Sequence, residues 1–165
     1  MLLASLLALA GATAAPPPLD VIAGVRLGDG EAVARRQIRR RGQVVRQEGA
    51  GGAVTLTAGD ASATICEGQV VKIVLVIGHG LHDFASAGQF FLRTHGPALS
   101  PEIYALDSSE LGTAEAATTD IVRLKWAKAP AFSLAYSQAG GADPVFVALN
   151  APNPCDRVGG EPTPE

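Results

Sequence analysis

The stretch Ala53 to Ile77 reads AVTLTAGDASATICEGQVVKIVLVI, and its periodicity decides the fold class. Val54 and Leu56 alternate with Thr55 and Thr57, the two-residue period of a strand with one buried face. Gly59-Asp60 reads as a tight turn into a second strand, Ala61 to Cys66, and Glu67-Gly68 as a turn into a third, Gln69 to Ile77. Short strands joined by two-residue turns make an antiparallel meander. The run Val70-Val71-Lys72-Ile73-Val74-Leu75-Val76-Ile77 is apolar on both faces, which predicts a central strand.

On either side of the meander lie helical patterns. Asp29 reads as the N-cap of a helix from Glu31 to Arg41 that Gly42 ends, and Asp83 as the N-cap of one from Phe84 to His95 stopped by Gly96-Pro97. Offsetting the chain by 54 residues aligns Leu27 with Leu81, Asp29 with Asp83, Ile38 with Leu92 and Gly42 with Gly96. That coincidence predicts two pseudo-repeated helix-plus-strands units, at about 24–77 and 78–149. Further strands are expected at Ile121 to Ala127, Phe132 to Tyr136 and Val145 to Leu149. Val122, Leu124 and Trp126, then Phe132, Leu134 and Tyr136, then Val145, Val147 and Leu149, would share their buried face. The expectation is a single α+β domain over 15–157 with helices packed on an antiparallel sheet. Asp107 to Asp120 carries four acids and no base and reads as a solvated loop, and 158–165 as a disordered tail.

The N-terminus sets the compartment. Residues 1–14 are uncharged and rich in Leu and Ala, ending in Ala12-Thr13-Ala14 before Pro16-Pro17-Pro18. This is the pattern of a signal peptide cleaved after Ala14, too short for a transmembrane span, and it predicts a periplasmic or secreted protein. An exported chain with two cysteines is expected to pair them, so Cys66 and Cys155 form the candidate disulfide. Two buried free thiols, or a metal-binding or catalytic thiol, are the alternatives.

The chain holds 165 residues, of which 29 are Ala and 19 Gly, so its apolar fraction overstates the material available for a core. Its net charge of −3 argues against whole-protein attraction to nucleic acid, yet the charge is unevenly spread. Residues 26–46 hold seven of the 13 bases against Asp29 and Glu31, a local charge of +5 beside −8 for the remainder. At 100° per residue, Arg35, Arg36, Arg39 and Arg40 fall on one helical face opposite Ala34 and Ile38. That face is either a solvated surface or a contact for an acidic envelope protein or anionic surface. Nucleic acid is disfavoured because no aromatic residues are interleaved for stacking.

Signals for chemistry are weak. His79, His82 and Asp83 are close in sequence, but Asp83 is explained as a cap and His95 lies at the other end of its helix, so no metal site is assigned. Ser86 lacks the glycine two residues earlier that a nucleophile elbow needs, and Gly49-Ala50-Gly51-Gly52 lacks the Lys-Ser/Thr of a phosphate loop. Trp126, Phe132 and Tyr136 read as core or as the lining of a shallow groove. No catalytic residue or cofactor is assigned.

Gly24-Val25-Arg26-Leu27-Gly28-Asp29 with its helix, the meander carrying Cys66-Glu67-Gly68-Gln69-Val70, and the second helix ending His95-Gly96-Pro97 resemble bacterial envelope domains of the BamE-like type. They are similar also to the tandem units of the β-lactamase inhibitor protein. The resemblance implies a small exported helix-on-sheet module that binds other proteins, and it carries no functional residue across. No lipid-accepting Cys follows the signal, unlike the outer-membrane assembly member. The functional expectation is an exported, non-enzymatic, protein-binding or inhibitor-like module, with a small secreted hydrolase of dispersed site as the alternative.

Overall fold

The computed structural model describes residues 19–99, 101–107, 118–126, 131–138 and 143–157. The expected signal segment over 1–14, the expected tail over 158–165 and the interior of the acidic stretch lie outside the described residues. The flanks of that stretch are strand rather than loop, since one strand runs to Asp107 and the next begins at Thr118.

The described residues begin with a two-stranded ribbon, β1 (Val21–Ile22) and β2 (Val25–Arg26), followed by helix α1 (Glu31–Ile38), which a 3-10 turn extends over Arg39–Arg41. Strands β3 (Val45–Glu48), β4 (Val54–Ala58), β5 (Ala61–Cys66) and β6 (Gln69–His79) come next, then helix α2 (Gly80–His95). The last strands are β7 (Pro101–Asp107), β8 (Thr118–Trp126), β9 (Phe132–Gln138) and β10 (Pro144–Asn150). All eight from β3 onward form one antiparallel sheet in the order β3-β4-β5-β6-β10-β9-β8-β7.

This architecture corrects the expected α+β domain of two pseudo-repeated units. The described chain is mostly strand, with two α-helices, and the sheet is continuous across the supposed boundary. β6 and β10 pair from Lys72–Asn150 to His79–Pro144, so a long ladder joins what the repeat would separate. Nor do the aligned residues do equivalent work. Ile38 is fully buried while Leu92 is 43% exposed, and α1 has 8 residues against 16 for α2. Asp29 precedes its helix, whose N-cap is Gly30, and its Oδ2 accepts from the Arg26 N–H. Asp83 lies inside α2, where its Oδ2 accepts from the N–H of the N-cap His79 at 2.8 Å. A Cβ at Gly78 would stand 2.8 Å from the Asp83 Cβ, so this helix start requires glycine there.

Both helices pack on the same face of the sheet. Ala34 and Ile38 of α1, four residues apart, reach Leu56, Ala63 and Ile65, and Phe84, Ala87, Gly88 and Phe91 form the inward stripe of α2. Opposite α2, the expected inward set is in place: Trp126, Phe132, Leu134, Tyr136, Val145, Val147 and Leu149 are buried, with Val122 and Leu124 packed against them. Trp126 stacks on Phe132 at 4.7 Å between ring centroids and donates its indole N–H to the Gly96 carbonyl, which fixes the end of α2. β6 sits between β5 and β10, the central position its two-faced apolar pattern predicts. A register shift at Thr64/Ile65 allows Val70 to enter the main core while Val71 joins a satellite cluster with Cys66 and Cys155.

Cys66 and Cys155 form a disulfide with Cα atoms 5.9 Å apart, and the described residues contain no free cysteine. No described helix is long and apolar enough to cross a membrane.

Candidate functional site: the arginine face of α1

The helix ends earlier than its capping glycine suggests. After Ile38 the backbone tightens into the 3-10 turn of Arg39–Arg41 before Gly42 at φ 148°. A 3-10 turn advances 120° per residue instead of 100°, so the departure from the α-helical face builds up along the turn and is larger at Arg40 than at Arg39. Arg35, Arg36 and Arg39 consequently line one shallow depression with Gln43 and Val44, of about 750 Å³. Arg40 turns into another, of about 820 Å³, with Gln37, Arg41 and Asp60. The structure therefore gathers three of the four predicted contact arginines and sets Arg40 on the other flank.

Not all the basic side chains are available to a partner. Arg35 reaches Glu31 one turn earlier at 3.0 Å, and Arg46 of β3 reaches the same carboxylate oxygen at 3.2 Å and Glu48 at 2.7 Å. Arg35 beside Glu31, with Arg46 behind it, holds the Glu31 carboxyl below its ordinary value. The Glu48 and Glu31 carboxylates push the Arg46 guanidinium up. Arg41 donates from Nη1 to both oxygens of Asp60, at 2.8 and 2.7 Å, tying the turn after α1 to the β4–β5 turn. The two turns are close: a Cβ at Gly59, whose φ is +56°, would lie 2.6 Å from the Arg41 carbonyl oxygen. Arg36, Arg39 and Arg40 remain exposed and make no ion pair with a described residue.

Sequence reading missed the division between structural and uncommitted arginines. The one available signal was the acidic company of each. Glu31 stands four residues before Arg35, a favourable helical spacing, and Glu48 two residues after Arg46 on the same strand face. Asp60 is 19 residues from Arg41 and gives no local signal. Gln37 was also missed, and its Oε1 is buried at the rim of the Arg40 depression without a hydrogen-bond partner.

Elsewhere the histidines stand apart. His79 caps α2 through its backbone, while His95 packs edge-on against Phe132 and takes its Nδ1 contact from Thr94 Oγ1 at 2.8 Å. Among the described residues no three His, Cys, Asp or Glu side chains cluster as a metal site. Ser86 is exposed on the outer face of α2. The chain matches no protein-family model, no curated protein and no solved structure.

Proposed function

We propose that this chain is an exported, non-enzymatic binding module that docks an acidic protein of the cell envelope on the arginine face of α1. The observation that carries this reading is the exposure of Arg36, Arg39 and Arg40 without a carboxylate partner among the described residues, beside arginines that are paired. Charges on an interface rim speed encounter and select partners by sign more than they add affinity, which suits a module with shallow depressions on this face. The Cys66–Cys155 disulfide supports an oxidising destination, and with the 1–14 segment it favours the periplasm or the exterior after cleavage near Ala14. The resemblance to BamE-like domains and to the β-lactamase inhibitor protein is in keeping with this role.

The test uses immobilised residues 15–165 to capture partners from a periplasmic and outer-membrane extract across a salt series. A variant with Arg35, Arg36, Arg39 and Arg40 replaced by Gln runs in parallel. The expected result is a partner that the native chain holds at low ionic strength and releases as salt rises, and that the variant holds more weakly with a flatter salt response. Equal retention by the two chains across the series would refute the reading.

A further inference from the structure

The sheet face turned away from the helices carries a second arrangement, fixed by strand register. Lys72 of β6 stands opposite Asn150 of β10; Val74 stands opposite Ala148; Ala148 stands opposite Ser133 of β9, and Ser133 opposite Lys125 of β8. Directly opposed residues share a face, so one rung carries a cation and an amide, Lys72 and Asn150, and the next rung on the same face runs from apolar side chains to a hydroxyl and a second cation. Phe146, two residues from Ala148 on β10, widens the apolar floor. Together they line a concavity of about 490 Å³, in the size range of small-molecule sites. From β6 to β8 is three strand spacings, about 14 Å.

The two rims differ electrostatically. At the β8 rim, Lys125 Nζ lies 2.7 Å from Glu102 Oε1 and Arg123 Nη1 lies 3.9 Å from the other oxygen of that carboxylate, so both cations there are engaged by one shared carboxylate. At the β6 rim, Lys72 is exposed and its ammonium has no carboxylate among the described residues, and the neighbouring Asn150 side chain is likewise exposed and uncommitted. One free cation with an amide donor beside it, at the end of an apolar trough, is complementary to a molecule with one anionic end and an apolar body. We infer that this concavity binds a small amphipathic monocarboxylate. Its carboxylate accepts from Lys72 Nζ and the Asn150 amide, and its apolar body lies along Val74, Ala148 and Phe146. The site is separate from the arginine face of α1 and stands whether or not that face binds a protein.

Trp126, the chain's single tryptophan, lines this concavity and reports its occupancy. The intact disulfide-bonded chain is titrated with sodium hexanoate, octanoate and decanoate below their micellar concentrations, following Trp126 emission, with decanol and decyltrimethylammonium as comparison ligands. Saturable binding is expected, tightening about fourfold for each added methylene that is buried. Decanol should bind about tenfold or more weakly than decanoate, because it lacks the charge-assisted hydrogen bonds. The cationic amphiphile should bind no better than decanol. Lys72→Gln should bring decanoate down to the level of decanol; Phe146→Ala should weaken both alike; and a triple Gln variant at Arg36, Arg39 and Arg40 should leave all affinities unchanged. Non-saturable emission changes, decanol binding as tightly as decanoate, or full decanoate affinity in Lys72→Gln would each overturn the inference.

Discussion

Gly88→Ala should stabilise the fold. Gly88 lies in the interior of α2 on its buried stripe, where glycine costs about 1 kcal/mol relative to alanine because of the backbone freedom it gives up on folding. Whether that gain is realised depends on the space between helix and sheet. A Cβ at this position would stand 3.7 Å from Leu124 Cδ1 and 3.8 Å from Leu134 Cδ2, ordinary contact distances that require neither leucine to move. The added methyl is then buried at a further gain of about 0.8 kcal/mol. Together the two effects amount to about 1–2 kcal/mol, a rise in Tm of roughly 3–6 °C for a domain of this size. The assay is thermal unfolding followed by circular dichroism in oxidising buffer, checked against the urea midpoint at constant m-value. Gly88→Leu is the companion variant: with both leucines already in contact, its extra carbons overpack the layer and should cost about 1–3 kcal/mol. A lower Tm for Gly88→Ala would refute the reasoning, because it would mean that α2 approaches β8 and β9 more closely than these distances state.

Reduction of the Cys66–Cys155 bridge, whose cysteines are 89 positions apart, removes a constraint for which the chain-entropy relation gives up to about 4.6 kcal/mol. The Tm should fall clearly with reductant, and a Cys66→Ala/Cys155→Ala variant should show no response to it. The Glu31 carboxyl is held below its ordinary value of 4.5 in the folded chain, so its contribution to stability is present above that value and is lost as pH falls through the folded pKa. Urea midpoints measured from pH 6 down to 3 should therefore decline less steeply for Glu31→Gln than for the native chain, with the effect shrinking in high salt because the pairs are exposed.

β4, β9 and β10 were legible because large apolar residues recur at every second position on the side toward the helices, and β6 because it is apolar on both faces. β5 has the predicted bounds, and β4, β6, β9 and β10 lie within two residues of theirs. The edge strands carry no such trace. All four residues of β3, Val45-Arg46-Gln47-Glu48, are exposed, so nothing in their order distinguishes strand from loop. β7 begins at a proline, and its exposed Ile103 faces no covering layer that would impose a pattern. The apparent repeat failed for a related reason. Caps and helix-end glycines recur wherever a helix meets a sheet, and they carry no record of which strands later pair, whereas the β6–β10 ladder depends on residues about 70 positions apart. At the candidate site, the concentration of arginine was plain in the sequence, but its division into paired and uncommitted side chains was set by the 3-10 turn after Ile38 and by Asp60 across the sheet edge.

The position of the disulfide also determines how the molecule would answer a pull on its two ends. Cys66 closes β5 and Cys155 follows β10, so the whole of β6, α2 and β7 to β10 lies inside one covalent ring. Tension applied at the termini passes through the sulfur bridge and can peel away only the ribbon, α1 and the strands from β3 to β5. The segment between the cysteines, 89 positions from end to end with a contour length of about 300 Å, is withheld from extension until the bridge is reduced. The open sheet face with Lys72 and Asn150 belongs to this sheltered half, whereas the arginine face of α1 belongs to the half that yields first.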